Sequence, residues 1–386
     1  MAPKQSKIIV GTHSISYIQN RLFATLPFEN CEVRKVKDFV RIPAHIYWRM
    51  RKKPHRFLTN LFYDAGLNNC GLYHFFNAVN IGNQPWITTF ERYIPRDAHH
   101  PGLYKKENWY IDYSLKRAAH PSCKKLIALS NYAYRSQLRY LQEYGKYETE
   151  IMSKVEVMHA PQQLMIESFE EKKTEKDFIT CTIAGNVFFR KGGLEILHVF
   201  DRLLSDKYSF RLNIVSNLSY GDYASRSVKS DQEEALQIIS KYPDSIRHHA
   251  SVPNKILLDM LKSSDVGLLP TYDDTYAFFV LECQAVGCPV ISTNGATLPE
   301  NNSNATGWMI DAPLYEDGRS IPRGAEQKAL FRSIVEESLY NYLIEIHTSP
   351  SVLKSKAELG MERIKNDHNI ENYTQKIEDV YNQALL

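Results

Sequence analysis

Short apolar runs alternate with amphipathic stretches along almost the whole chain, and this pattern limits the fold more than any other feature. Strands buried on both faces read as continuous apolar segments, and parallel strands need helical crossovers between them. In the first half the runs are Lys7-Ile-Ile-Val, Gly71-Leu-Tyr-His-Phe-Phe, Pro85-Trp-Ile-Thr-Thr-Phe, Lys125-Leu-Ile-Ala-Leu and Val155-Glu-Val-Met. Ser130 follows one of them and opens an amphipathic stretch to Tyr144, an N-cap signal. Residues 165–177 are dense in charge and poor in apolar side chains, which predicts an interdomain linker. A second series then begins with strands at 178–184 and 210–215, a helix capped by Asn254 through Lys262, and strands at 266–269 and 289–292. From Ala325 onward the pattern is helical, with a stop near Ser349-Pro350. The expected class is α/β: two Rossmann-like domains, residues 1–164 and 178–365, with residues 366–386 as a helix returning to the first.

With 43% hydrophobic and 24% charged residues in 386, the chain has an ordinary globular balance. No apolar run approaches the roughly 20 residues that span a bilayer. Met1 to Lys7 lead directly into the first strand with no apolar signal stretch. The six cysteines form no CxxC pair. A cytoplasmic setting with reduced thiols is therefore expected, and the glycosylation-type sequons at Asn217, Asn301, Asn304 and Asn372 read as chance.

Several chemistries drop out. No two glycines are separated by a single residue, so the GxGxxG dinucleotide fingerprint is absent, as is the GxxxxGK[ST] phosphate loop. There is no Asp-X-Asp pair, no HExxH and no His/Cys cluster with zinc-ligand spacing. The neighbours His99-His100 and His248-His249 read as surface or loop residues, and no bound metal is expected.

Two segments carry positive signals. Gly185-Asn-Val-Phe-Phe-Arg-Lys-Gly192 ends a strand and opens a helix near residue 192. Such a turn offers backbone N–H groups and a helix N-terminus to an anion, and Arg190 and Lys191 add full charges. An ordinary strand-to-helix turn with exposed basic residues is the other reading. In Leu269-Pro-Thr-Tyr-Asp-Asp-Thr-Tyr-Ala-Phe-Phe-Val-Leu-Glu282 a strand ends, a polar loop follows and a helix carries Glu282 near its start. Asp274 and Glu282, eight residues apart, suit two carboxylates accepting hydrogen bonds from different parts of one polyhydroxyl ligand. A solvated acid beside a capped helix is the alternative.

Together and in this order, the pieces resemble the donor domain of retaining GT-B glycosyltransferases, family four of the sugar-nucleotide-dependent enzymes. That pattern reads G-R-x-x-x-x-K-G, a strand, a helix ending Ala-Asp, Leu-Pro-Ser, then E-x7-E continuing into Ala-x-x-x-Gly-x-Pro-Val. Gly185 to Gly192, Ser264-Asp265, Leu269-Pro-Thr, Asp274 to Glu282, and Ala285, Gly287, Pro289 and Val290 occupy these places. Gly295-Ala-Thr-Leu-Pro-Glu300 resembles the loop that follows. The likeness covers roughly residues 183–307 and thins to strand pattern in the first half.

The resemblance implies two domains facing a cleft and a UDP- or GDP-sugar as substrate, with no other cofactor. It places Glu282 on the ribose hydroxyls, Asp274 on the transferred sugar, and Lys191 on the diphosphate. The amides near Ala277, Phe278 and Phe279 would face phosphate and sugar. Asn186 stands where the family usually has a diphosphate-binding arginine, and Arg190 lies four residues on. In the first half His74 resembles a strand-end histidine. Glu91 falls at a Thr-X-His position, near acceptor or sugar, or else is a loop glutamate paired with Arg92 or Arg96. The implied reaction is retaining, metal-independent hexosyl transfer to a hydroxyl of a cell-surface or lipid-linked glycan, as in lipopolysaccharide or capsule biosynthesis. A non-catalytic glycan- or nucleotide-binding subunit is the alternative.

Charge adds one further expectation. Residues 1–160 hold 24 Lys and Arg against 12 Asp and Glu, a balance of +12, while the remainder carries −9. Residues 45–57 place Arg49, Arg51, Lys52, Lys53 and Arg56 among Tyr47, Trp48 and Phe57, a composition suited to an anionic membrane surface. A solvated basic loop is the alternative, and Pro54 argues against one unbroken helix. No nucleic-acid recognition module is recognisable, so no nucleic-acid partner is expected.

Overall fold

A computed structural model describes residues 7–53, 55, 58–96, 109–172 and 177–386. Two compact units result, Met1–Pro161 with His368–Leu386, and Gln162–Asp367.

The strands of the first unit are β1 (Ile8–Thr12), β2 (Cys31–Lys35), β3 (Leu61–Phe62), β4 (Leu72–Phe76), β5 (Val79–Asn80), β6 (Trp86–Phe90), β7 (Cys123–Ala128) and β8 (Val155–Val157). Six of them form a parallel sheet of order β2-β1-β4-β6-β7-β8, and β3 pairs with β5. The helices are α1 (Tyr17–Gln19), α2 (Arg41–Arg51), α3 (Trp109–Ala119), α4 (Asn131–Tyr144) and α5 (Glu148–Met152). Ser130 Oγ accepts the Ala133 N–H at 3.0 Å, the cap that the sequence predicts for α4. A wider π-type turn, Asn20–Ala24, follows α1 and drives Phe23 inward, where its ring stacks 3.9 Å from that of His74.

The C-terminal helix Ile370–Ala384 packs Tyr373, Ile377, Val380 and Tyr381 into a core with Val10, Leu72, Ile87 and Ile127. Tyr381 Oη lies 2.7 Å from His74 Nδ1, and Thr89 Oγ1 lies 2.8 Å from His74 Nε2. Burial pushes the His74 imidazole down to about 3, so it is neutral at ordinary pH. The histidine that the sequence likens to a strand-end site residue is here a satisfied core group joining sheet and terminal helix.

The second unit contains β9 (Ile179–Ala184), α6 (Gly193–Ser205), β10 (Phe210–Val215), α7 (Lys229–Lys241), β11 (Ile246–His249), α8 (Asn254–Lys262), β12 (Val266–Leu269), α9 (Phe278–Ala285), β13 (Val290–Thr293), α10 (Leu298–Asn301) and β14 (Trp308–Ile310). Two long helices, α11 (Ala325–Thr348) and α12 (Ser351–Asp367), complete it. Its parallel sheet runs β11-β10-β9-β12-β13-β14. This is the doubly wound order in which the chain reverses direction between its first and fourth strands. None of the helices among the described residues is long and apolar enough to cross a membrane.

Three differences from the sequence reading have local causes. Strands β2, β11 and β14 went unread because they are sheet edges, and in β2 and β11 charged or histidine side chains break the apolar run. Asn254 is the first residue of α8 rather than its cap. Residues 165–172, expected in a linker, pack on the second unit. The Met165 N–H donates to Ala285 O, Ile166 is buried, and Lys172 Nζ donates to the carbonyls of Ser264 (2.7 Å) and Val286 (3.3 Å). The remaining linker residues 173–176 lie outside the described residues, as do His99 and His100.

Tyr381→Phe is expected to cost about 1–3 kcal/mol in urea unfolding, because it strands a buried imidazole nitrogen without a partner. His74 also sets a pH slope. Its folded-state value is depressed, so the folded state resists the proton that the unfolded chain accepts, and stability falls as pH drops below 6.5 toward about 3. His74→Asn should flatten that part of the profile.

Candidate functional site

In a sheet of this order the crossovers before and after the reversal go to opposite faces, which leaves a notch at the carboxyl ends of the two central strands. Here those strands are β9 and β12, paired through Val266 to Cys181 and Gly267 to Thr182. The segments leaving them are the 185–192 turn and the 270–277 loop, the two pieces with chemical signals in the sequence.

The first segment depends on two glycines. Gly185 has φ +148°, and a Cβ there would lie 2.2 Å from Lys191 Cε, so the lysine stem runs directly over the glycine. Gly192 has φ +76°, and a Cβ there would meet the Pro270 carbonyl oxygen at 2.2 Å. Between them Phe188 and Phe189 are buried in the core and anchor the turn, while Asn186 is exposed. Helix α6 then starts at Gly193.

The second segment is locked to the first. Tyr272 N–H and Thr271 Oγ1 both donate to the Arg190 carbonyl at 2.9 Å. Residues from the last position of β13 onward brace it from the other side. Thr293 Oγ1 donates to Thr271 O and Thr297 Oγ1 to Thr275 O, each at 2.8 Å, and Asn301 Nδ2 donates to Tyr276 O. Tyr272 Oη donates to Glu195 Oε1 at 2.6 Å, and Arg332 Nε holds the same carboxylate at 3.2 Å.

Electrostatics centres on one ion pair. Lys191 Nζ lies 2.8 Å from Asp274 Oδ2, and both side chains are only 12% exposed. Asp274 Oδ1 accepts the Ala277 N–H at 2.8 Å, with the Tyr276 N–H at 3.3 Å. Burial alone would raise the Asp274 carboxyl, but the Lys191 charge and hydrogen bond, then Arg190 and the Ala277 amide, hold it below the usual range. Arg190 sits 5.8 Å from the Tyr223 ring, and Tyr223 Oη donates to Asp273 Oδ2. Burial works against the Arg190 charge, and Tyr223, Asp274 and Asp273 outweigh it, so the guanidinium is held firmly protonated. Glu282, 5% exposed on α9, accepts from Asn254 Nδ2 at 3.4 Å.

Contacts thus bring Gly185, Arg190, Lys191, Asp274 and Ala277 together at the strand ends. One detail differs from expectation: the Ala277 N–H is engaged by Asp274. The Phe279 ring is buried in the core with Val280 and Leu269, which leaves the expectation for its backbone amide untouched. Phe278 is half-buried with its ring 4.8 Å from Tyr276. Glu91 belongs to the first unit, where it forms an ion pair with Arg96 and accepts from Asn77. Sequence reading missed Tyr223, Thr293, Thr297, Asn301 and Glu195. Glu195 stands out only as a carboxylate within an apolar run, and the other four carry no signal in the sequence. Among the described residues no group of three or more His, Cys, Asp or Glu is gathered to hold a metal ion.

Residues 165–317, less than half of the chain, match the family model described as Glycosyl transferases group 1. An uncharacterized 41.2 kDa protein in the cps region of Klebsiella pneumoniae is 24% identical over 157 residues, which are 40% of this chain and 38% of that protein. The matched stretches span well under half the length of the curated relatives, 38% and 29% for the first two. Among solved structures, a glycosyltransferase from Rickettsia africae superimposes with a TM-score of 0.59 at 14% identity, over 98% of this chain and 90% of that one. HepE from Anabaena in complex with UDP gives 0.59 at 8% identity, over 97% of this chain and 99% of that one. At such identities the likeness shows the fold, GT-B, with two parallel-sheet Rossmann-like α/β domains.

Lys191 and Asp274 should behave as one unit. Either Lys191→Met or Asp274→Asn alone leaves a half-buried charge or dipole without its partner, at a cost of about 1–3 kcal/mol. Their double-mutant cycle should show a coupling on the order of 1 kcal/mol or more at pH 7. Because the Asp274 value is depressed in the folded state, this contribution is complete above the ordinary carboxylate range. It is lost as pH falls through the folded value. Urea unfolding at neutral and acid pH measures both.

Proposed function

We propose that this chain is a glycosyltransferase that moves a hexosyl group from a UDP- or GDP-sugar to a hydroxyl of a cell-surface or lipid-linked glycan, with retention at the anomeric carbon and without a metal. The observation that carries the reading is the Lys191–Asp274 pair. It sits at the β9–β12 strand ends, between the first turns of α6 and α9. In such a transfer the bond from the anomeric carbon to the diphosphate oxygen breaks, the acceptor oxygen bonds to that carbon, and the acceptor proton passes to the departing diphosphate, which has taken the electron pair of the broken bond. Charge builds on the departing nucleoside diphosphate, so the groups that lower the barrier are cations and N–H dipoles aimed at it. Arg190 and Lys191 supply the cations. Asp274 and Glu282 are acceptors for sugar and ribose hydroxyls, and Asp274 is kept ionised for that work.

The glycosyl transferases group 1 match over this same stretch supports sugar transfer. The UDP held by the Anabaena neighbour supports a uridine nucleotide, and the cps-region relative supports a surface polysaccharide as product. Work on the cytoplasmic side, where nucleotide sugars are made, fits the same reading. A second reading, a non-catalytic glycan- or nucleotide-binding subunit, is favoured by Asn186 at the usual arginine place and by Asp274 at a place where the resembled pattern has glutamate.

Release of free nucleotide from a panel of UDP- and GDP-sugars separates the two. The enzyme liberates UDP or GDP, and the binding subunit retains sugar nucleotide intact. Lys191→Ala and Glu282→Ala, checked for folding, should each lower turnover by roughly ten- to a thousand-fold. Near-wild-type rates in both would overturn the assignment. Activity should persist in excess EDTA. Complete loss restored by Mg²⁺ or Mn²⁺ would show that a metal, rather than Lys191 and Arg190, balances the leaving group.

A further inference from the structure

His198 lies on α6 with a carboxylate at each ring nitrogen. Its Nδ1 is 2.6 Å from Glu336 Oε1 on α11, and its Nε2 is 2.9 Å from Glu234 Oε1 on α7. A neutral imidazole carries one N–H and an ionised carboxylate only accepts, so both contacts hold together only with the imidazolium. One proton therefore joins three helices. The hydrogen bond to Glu336, opposed by burial and aided by the Glu336 charge and by Glu234, raises the imidazole above its ordinary 6.5.

One turn nearer the strand ends, α6 and α11 meet again. Glu195 precedes His198 by three residues, and Arg332 precedes Glu336 by four. Arg332 Nε lies 3.2 Å from Glu195 Oε1, the oxygen that also accepts from Tyr272 Oη, while Glu195 Oε2 has no hydrogen-bond partner. The contact is single and at the long end of the usual range. Tyr272 stands two residues before Asp274, so this rung anchors the loop that holds the Lys191–Asp274 pair. His198, Arg332 and Glu336 line one cavity of about 680 Å³, which gives their side chains room to change partners.

The charged groups around the imidazole decide which partner would change. Beside it on α6, Asp201 pairs with Lys241 at 2.6 Å and accepts from Tyr242 Oη, and the Arg202 guanidinium lies 3.6 Å from the Tyr340 ring. Asp231 of α7 is 3.9 Å from Lys328 of α11, and Glu337 shares the cavity lining. Glu234 has Ser230, Asp231, Gln237 and Ile238 one turn away on its own helix, none of them a cation. Glu336 has Arg332, and its charge already reaches that guanidinium.

We propose that His198 is a proton-operated clasp on the donor loop. When the imidazole gives up its proton, Glu234 keeps the one remaining N–H, and Glu336 draws Arg332 away from Glu195. The Tyr272 anchor of the 270–277 loop then slackens, because Glu195 is left as a buried carboxylate without its cation. The folded-state value is raised, so the clasp is complete below 6.5 and is released as pH rises through the folded value. The consequence for nucleotide binding rests on the transferase reading, and the clasp itself does not.

The test reads the loop with and without a nucleotide, at about pH 6 and about pH 9. Hydrogen exchange of residues 270–277 is compared between variants at the same pH, so that intrinsic exchange rates cancel. His198→Arg keeps a cation at both pH values, and its loop should match wild type at the lower pH and exchange about five-fold more slowly than wild type at the higher. Glu336→Gln removes the carboxylate that would capture Arg332, so its loop should also stay protected at both. His198→Gln should be unprotected at both. The dissociation constant for UDP, taken relative to His198→Arg at the same pH, should weaken in wild type by about five-fold across the interval. Equal loop exchange in wild type, His198→Arg and Glu336→Gln at the higher pH overturns the clasp, as does faster exchange in Glu336→Gln than in wild type. The predicted exchange pattern with no UDP binding at either pH supports the clasp and counts against the donor reading.

Discussion

Every strand of the second unit runs in the same direction, and that constraint shapes the site before any polar residue is placed. Each connection must cross a face of the sheet, and the crossovers part between β9 and β12. The chain leaving these two strands has no helix above it at that point. Backbone N–H groups at the first turns of α6 and α9 are left there without intrahelical acceptors. Gly185 and Gly192 let the first segment lie close enough to Pro270 and Lys191 for the two strand ends to share one hydrogen-bond network.

That network fixes backbone rather than side chains. The carbonyls of Arg190, Thr271, Thr275 and Tyr276 each accept a hydrogen bond from residues distant in sequence. A polar loop of this length would otherwise sample many conformations, at about 1–2 kcal/mol of entropy per residue fixed. With its carbonyls held, the loop presents Asp274 in one place, and the ammonium of Lys191 is held against it. Arg363 continues the bracing from α12, donating to Asn301 O at 2.7 Å and to Gln284 Oε1 at 2.9 Å.

What could be read from sequence follows from where each group sits in this arrangement. Central strands such as β9, β10, β12 and β13 are covered on both faces, so they appear as apolar runs and were legible. Edge strands such as β11, Ile-Arg-His-His, need only one apolar neighbour and were not. At the site, Gly185, Lys191 and Asp274 were legible because their types and spacing are chemical signals. Thr293, Thr297 and Asn301 were not, because a hydroxyl or amide that braces a carbonyl about 25 residues away looks like any polar residue in a loop. Lys172 misled for the opposite reason. Its segment is charge-dense and reads as a spacer, yet its ammonium satisfies carbonyls near the ends of α8 and α9.

The polar groups of the two units illustrate how commitment differs from readiness. In the first unit both ring nitrogens of His74 are engaged, by Tyr381 and Thr89, and the imidazole is held neutral, which leaves it no proton chemistry near neutral pH. Lys191 is placed differently. An ammonium carries three donors, and the hydrogen bond to Asp274 uses one of them. The ion pair is itself neutral, and beside it, against the cost of burial, Arg190 is held protonated by Tyr223, Asp274 and Asp273, so a second cation stands next to the lysine. An anion can therefore be received without breaking the contact that positions the lysine. The same contact spares Asp274 the cost of an uncompensated buried charge before any ligand arrives. A buried pair of this kind adds little to stability compared with an apolar replacement, and its use is geometric: it holds a cation and an acceptor a fixed 2.8 Å apart at the strand ends where a charged ligand would be met.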